Sequence, residues 1–395
     1  MGLKKCVRGF AVVALCCCSP NLAWAAQAEQ AQKVTIGIVA EMTGSGASTG
    51  GFWEKGVQMA VEEINAKGGI LGRPVETFTL DTKSEAPTGI AVMRKAIEQK
   101  PYIVMGSCYS GITIANMSIL QEAGIPQFTA AEAPAITQKG NLNIFRTSYS
   151  ADLSMDKVIK WITNTLKIKK LALIYANDEL GRGGRDALVK LLAGTGTSVV
   201  TSLGTDLGQI DYTGELTRVR NSGADALFIY LHEEEGGRIL PQARQLGVDK
   251  TMQIIGHVML IGPETVKLAG QAADGIPGLV DMSQEAPTFK PVADQYLKKY
   301  GGMPDHNFFK AYIGTYVVKA TTELVGSFDQ KKFRDTLHNR TFCVKEHPGI
   351  LADIHYDERG DIDRESYMVK ISNGKQVITG KLGALHPERF ATCGK

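Results

Sequence analysis

A chain of 395 residues exceeds the size that one hydrophobic core usually serves, so two domains are expected. Its 44% hydrophobic and 22% charged composition excludes both disorder and a membrane-embedded body. A net charge of +3 gives little to attract nucleic acid or an anionic membrane.

The chain opens with Lys4, Lys5 and Arg8 before an apolar run from Gly9 to Cys18, followed by Ser19-Pro20-Asn21 and Ala23-Trp24-Ala25. That order reads as a signal peptide over residues 1–25, cleaved after Ala25. The apolar run is about half the roughly 20 residues a membrane span requires. The cysteines of Leu15-Cys16-Cys17-Cys18 lack the preceding Gly or Ala of a lipid-anchor signal, so no anchor is expected. The leader takes three of the 44 basic residues and none of the 41 acidic ones, which leaves the remainder formally neutral. It also takes four of the seven cysteines, leaving Cys108, Cys343 and Cys393. In an oxidising compartment the two C-terminal ones can pair, with Cys108 free.

Val34 to Val39 reads as a buried strand, and Val57, Ala60, Val61 and Ile64 then recur at helical spacing up to a stop at Gly68-Gly69. An extended segment from Val75 to Leu80, a helix around Ile90, Met93 and Ile97, and the segments Ile103–Met105, Thr113–Ala123 and Pro126–Thr129 continue the alternation. It restarts near Asp152, with a helix at Val158, Trp161 and Ile162 and strands at Leu171–Tyr175, Ser198–Leu203, Ala226–Leu231 and Met252–Ile255. The C-terminal third adds helices at Pro291–Tyr300 and Phe309–Val325 and a hairpin around Asp357–Asp361. This pattern predicts an α/β protein of two doubly wound parallel-sheet lobes, with ligands bound beyond the carboxyl ends of the strands. No low-complexity tether separates the lobes, which suggests crossovers at a hinge.

Four local patterns invite catalytic or metal readings, and each is incomplete. Gly44-Ser45-Gly46-Ala47-Ser48-Thr49-Gly50 follows the first strand, but its third glycine falls one place too late for a dinucleotide loop. It reads better as a strand-to-helix turn facing a cleft, with Ser45, Ser48, Thr49 and Trp53 as candidate lining residues. His232-Glu233-Glu234-Glu235 lacks the second histidine of a helical zinc motif, since Gly236 stands there. Gly106-Ser107-Cys108-Tyr109-Ser110-Gly111 has Tyr109 where a nucleophile elbow needs glycine. It leaves a cluster of hydroxyls and amides at a helix N-terminus, suited to a carboxylate. Asp357 to Asp363 lacks the calcium-loop pattern and reads as a turn. Neither an enzyme nor a metal or cofactor site is expected.

The run Ala60-Val61-Glu62-Glu63-Ile64-Asn65-Ala66-Lys67-Gly68-Gly69-Ile70-Leu71-Gly72-Arg73-Pro74-Val75 resembles the leucine/isoleucine/valine-binding family of ABC transporter solute receptors. So do Glu41-Met42-Thr43-Gly44, Ala133-Pro134-Ala135-Ile136-Thr137, Ile144-Phe145-Arg146-Thr147 and Asp178-Glu179-Leu180-Gly181-Arg182-Gly183. The resemblance implies the type I periplasmic-binding fold, with three hinge crossings and closure around a ligand. It divides the chain into lobe 1 (33–147 plus 280–349) and lobe 2 (148–279 plus 350–387). It also implies a periplasmic monomer that captures a small polar ligand (amino acid-like, an amide or an aromatic acid) for an ABC permease. The alternatives are a ligand-sensing receptor module or an α/β enzyme.

Carried over residue by residue, the resemblance places the serine that holds a ligand carboxylate at Ser110, supported by Gly111. The next segment runs Ala130-Ala131-Glu132, with a carboxylate where the family has threonine. Beside a ligand carboxylate this is repulsive unless a cationic group lies between them. In the second lobe the family aromatic is Leu180, beside Asn177 and Asp178, and the family tyrosine falls near His232 and Glu233. The glutamate that pairs with a ligand ammonium falls near His257 or Val258. Either Glu132 and Glu233 supply that role from new positions, or the ligand is not an α-amino acid.

Overall fold

The computed structural model describes residues 1–2 and 32–394, so the leader reading lies outside the described residues. The first half alternates β1 (Val34–Ala40), α1 (Ala47–Ala66), β2 (Val75–Asp81), α2 (Ala86–Glu98), β3 (Ile103–Met105), α3 (Ser110–Ala123), β4 (Gln127–Thr129), α4 (Ala135–Gln138) and β5 (Ile144–Arg146). All five strands are parallel, in the order β2-β1-β3-β4-β5.

The second unit runs α5 (Ala151–Lys160), β6 (Lys170–Ala176), α6 (Glu179–Leu192), β7 (Ser198–Thr205), α7 (Thr213–Arg220), β8 (Ala226–Tyr230), α8 (Glu233–Gln245), β9 (Gln253–His257), α9 (Pro263–Ala269) and β10 (Pro277–Val280). Its parallel core has the order β7-β6-β8-β9-β10, the same winding as the first sheet. In both sheets the order reverses beside the first strand of the unit, so two crevices open at the carboxyl ends of β1 with β3 and of β6 with β8.

After β10 the chain forms α10 (Lys290–Tyr300), α11 (His306–Val325) and α12 (Gln330–Leu337), which return to the first lobe. Tyr296 stacks on Phe52 of α1, and Phe333 meets Phe128 and Phe145 edge-on. Then come β11 (Arg340–Phe342), β12 (Ile354–Tyr356), β13 (Ile362–Asp363), β14 (Ser366–Ser372) and β15 (Lys375–Leu382). β14 and β15 extend the second sheet antiparallel beyond β10, so that sheet is mixed rather than wholly parallel.

The sequence-based division, which gave 350–387 to the second lobe, corrects at both ends of that segment, since Leu385 and His386 bond to Asp363. Residues 354–363 do not join the second lobe: β12 and β13 pair with β11 in a separate antiparallel sheet. Arg146 of β5 fixes this sheet to the first lobe. Its Nε donates to Asp361 at 2.6 Å, its Nη2 donates to the Ala133 carbonyl at 2.7 Å, and its Nη1 donates to the Ala131 carbonyl. The third change of lobe therefore falls between Asp363 and Ser366.

The three crossings meet in a buried polar knot. Asp281 of the second crossing accepts from Arg364 of the third at 2.6 Å. The Tyr149 hydroxyl of the first crossing accepts from the Arg364 backbone N–H at 2.8 Å, and Lys157 donates to Tyr149, to the Arg364 carbonyl and to Ser366 at 2.7, 2.6 and 2.9 Å. Burial alone would raise the Asp281 pKa, but the charges of Arg364 and Lys310 outweigh it and hold the carboxyl down to about 2. Farther out, Cys343 and Cys393 form a disulfide, while Cys108 is free and buried.

Replacing Arg146 with leucine leaves the buried Asp361 carboxylate with only the half-exposed Arg359 guanidinium, 3.8 Å away, as a cation. The expected cost is about 3–5 kcal/mol in equilibrium denaturant unfolding, as for other broken buried pairs. A change below about 1 kcal/mol would show that Asp361 is compensated by other groups.

Candidate functional site

The glycine loop shows why its spacing is not that of a nucleotide site. A Cβ on Gly50 would lie 2.2 Å from the Glu41 carbonyl oxygen, so this glycine lets α1 start against the end of β1. Of the loop side chains, Thr49 lines a small cavity between the lobes, and Ser48 lines a wider opening that Pro263 and Glu264 border from the second lobe. Ser45 is exposed and contributes its carbonyl, which accepts from the Tyr109 hydroxyl at 3.2 Å. Trp53 lines no crevice; it is fully buried where α1 packs into the core, the usual fate of a large aromatic on an apolar helix face.

Between the lobes, Thr49, Ser110, Ala130, Glu132, Leu180, His232 and Glu233 converge on one cavity of about 30 Å³. Ser110 opens α3 and accepts from the Ala133 backbone N–H at 3.2 Å, which leaves its hydroxyl proton available to a ligand oxygen beside the helix N-terminus. Cys108 lines the same wall. Its thiol is held well above its ordinary range by burial and by the nearby Glu41, so it is an inert small residue here. Gly111, in contrast, lies exposed on the outer side of α3.

Glu132 carries a partner that the sequence did not reveal. Lys310, near the start of α11, donates to it at 2.8 Å, with both side chains nearly fully buried. The Tyr230 hydroxyl reaches the other carboxylate oxygen at 3.4 Å from the opposite lobe. Burial lowers the Lys310 pKa, but Glu132 and Asp281 more than offset this and leave the ammonium stabilised. The repulsion expected between Glu132 and a ligand carboxylate is thereby neutralised. A lone lysine in Phe308-Phe309-Lys310-Ala311-Tyr312-Ile313 was the available signal, because a helix buried on every face has no solvated side for a charge.

In the second lobe, Asp178 caps α6 by accepting from Gly181 N–H at 2.8 Å and pairs with His232 at 2.7 Å. Burial opposes the His232 charge, yet Asp178 carries its pKa up to about 9. The imidazolium stacks on Tyr109 of the first lobe with ring centroids 4.8 Å apart, which closes the cavity. Asn177 turns outward to Asp206, and His257 lines a neighbouring void under Glu132 and Asp281. Burial keeps His257 below its ordinary pKa.

Glu233 opens α8 and faces the start of α11. Asn307 Nδ2 donates to it at 3.2 Å, and His306 Nε2 lies 3.4 Å away. Burial and the charge of Asp305 raise its pKa to about 8. Glu233, Asp305 and His306 lie close enough to share a metal ion. Both carboxylates are already engaged, with Asn307 bridging them and Asp305 capping α11 through Phe308 N–H at 3.0 Å.

With this geometry in view, comparison with known proteins is direct. A profile of the periplasmic binding protein family matches residues 33–376. The chain belongs to that family. It is 30% identical over 348 residues to the Leu/Ile/Val-binding protein BraC3 of Rhizobium johnstonii, covering 87% of this chain and 93% of that protein. The leucine-binding protein LivK of Thermotoga maritima superposes with a TM-score of 0.80 at 25% identity, over 89% of this chain and 99% of the other. A solute-binding protein of an ABC transporter from Rhodopseudomonas palustris, solved with 3,4-dihydroxybenzoic acid, gives a TM-score of 0.81 at 21% identity, over 89% and 98% of the two chains, and speaks for the fold alone. The family consists of solute-binding proteins rather than enzymes.

Stability should fall as pH rises from about 5 to 9. His232, held up to about 9, contributes fully below its unfolded value near 6.5 and loses that contribution as pH passes through 9. Glu41, Asp305 and Glu233, raised to about 7, 7 and 8, bind protons in the folded state that the unfolded chain has released, so they act in the same direction. Thermal melts across this range should decline, less steeply below about pH 6.5 where His257 and His306, held down by burial, act in the opposite direction, and Glu233→Gln should flatten the decline between about pH 5 and 8. A rising profile would show that these groups are not buried in solution as they are here.

Proposed function

We propose that this chain is the exported solute receptor of an ABC importer, and that its ligand is a small amino acid-like zwitterion. The observation that carries this reading is the joining, in one interlobe cavity, of a hydroxyl free to donate at a helix N-terminus (Ser110) and a buried carboxyl (Glu233) that meets only the Asn307 amide and a His306 imidazole whose pKa burial holds well below its ordinary value. A ligand carboxylate fits the first, where the dipole of α3 favours an anion and Lys310 cancels the opposing charge of Glu132. A ligand ammonium fits the second, where a cation would draw Glu233 into its ionised form. The names of the relatives, among them leucine- and Leu/Ile/Val-binding proteins, support an amino acid.

The closed cavity has room for about one water-sized group. Entry of an amino acid therefore requires the lobes to part and the stack of Tyr109 on His232 to separate. Closure afterwards would present a changed surface to the permease, which selects the loaded receptor.

The test is a thermal-shift panel with the mature chain and amino acids, amides, aromatic acids and amines at saturating excess. Amino acids should stabilise it by about 3–4 kcal/mol at 100 to 1,000 times Kd. Glu233→Gln should weaken an amino acid by roughly tenfold to a hundredfold, as expected for a lost buried ionic contact, while leaving an ammonium-free acid unaffected. Stabilisation by aromatic acids alone would retain the receptor and discard the zwitterion.

A further inference from the structure

The C-terminal segment makes a fourth connection between the lobes. β15 runs antiparallel to β14, so Leu382 ends beside Ser366, at the third hinge crossing. The chain then leaves the second lobe. The backbone N–H groups of Leu385 and His386 donate to the two carboxylate oxygens of Asp363 at 2.9 and 2.7 Å. The Arg389 carbonyl accepts from the Thr341 hydroxyl at 2.9 Å, and the Phe390 ring stands edge-on to His355 at 6.4 Å. Cys393 is bonded to Cys343 with their Cα atoms 5.1 Å apart. Every one of these anchors belongs to the three-stranded sheet or its flank, which Arg146 holds to the first lobe.

We propose that residues 383–393 form a strap alongside the hinge, and that the Cys343–Cys393 disulfide makes it a covalent limit on how far the lobes open. The matched family profile ends at residue 376, before the strap begins. Hinge motion in this fold is absorbed by backbone rotation at the few residues of each crossing. A fourth crossing fixed at both ends has to accommodate the same rotation. Its polar contacts are part-buried and can peel away one at a time, whereas the disulfide cannot. An oxidised chain is therefore confined to smaller opening angles, and its closed form is a larger fraction of the unliganded population. This inference does not depend on which ligand occupies the cleft.

The experiment uses the full mature chain without ligand, with dyes on noncanonical residues at the exposed positions Glu122 and Lys190, one on each lobe. Single-molecule transfer distances are compared for the native chain, the native chain reduced with a phosphine, and the Cys343→Ser/Cys393→Ser double variant. Circular dichroism confirms that each is folded. Reduction should broaden the distance distribution toward longer values, the double variant should show the same broadening, and phosphine should not change the double variant further. If the serine variant does not fold, a chain ending at Leu382 with Cys343→Ser takes its place, with the same expected broadening. Identical distributions in folded oxidised and reduced chains would overturn the proposal. Loss of the fold on reduction would do so too, since the bond would then hold the first lobe together rather than limit opening.

Discussion

Two opposite charges buried between the lobes set the terms for the rest of the site. Removing Lys310 or Glu132 from water costs several kcal/mol per ion, and their attraction repays this only if each is held against the other. α11 meets that condition by burying its first turns on all sides, and the loop after β4 meets it by turning Glu132 inward. The pair has no net charge, so the neighbouring N-terminus of α3 keeps its preference for an anion. Tyr230 touches the pair from the opposite lobe, so closure is felt at the centre of the cleft rather than only at its rim.

Both lobes use the same strand order, which explains why the polar groups face one another. Ser110 follows β3 and His232 follows β8, equivalent strands of the two sheets. Glu132 follows β4, and His257 ends the equivalent β9. Each lobe thus offers its strand-end loops to a shared space. The hinge knot of Asp281, Arg364, Tyr149 and Lys157 couples the three crossings through buried charge-assisted bonds, so none of them rotates without disturbing the others.

Much of this was legible from periodicity. The near-continuous apolar runs at Val34–Val39, Leu171–Tyr175 and Ala226–Leu231 announced buried parallel strands, and each is paired on both sides within its sheet. β14 and β15 were missed because both alternate polar with apolar residues and look like loop; β15, the edge strand, is largely exposed on one face over Lys375–Leu382. Trp53 was misplaced for a related reason, since its closeness to the glycine loop in sequence says nothing about which face of α1 it occupies. Ser110, Glu132, Leu180, His232 and Glu233, which the family resemblance named, line one cavity because each follows the end of a strand.

The sequence by itself determined the fold class, the strand-end loops that meet, and the presence of an unusual carboxylate at Glu132. These follow from patterns repeated within a few residues. Only the tertiary structure decided the charges, because the partners come from far along the chain: Lys310 is 178 residues from Glu132, and Asn307 is 74 from Glu233. It also decided that residues 354–363 stay with the first lobe and that the last residues return there. Charge pairing and lobe membership depend on what is buried against what, and burial is a property of the packed chain that no local spacing records.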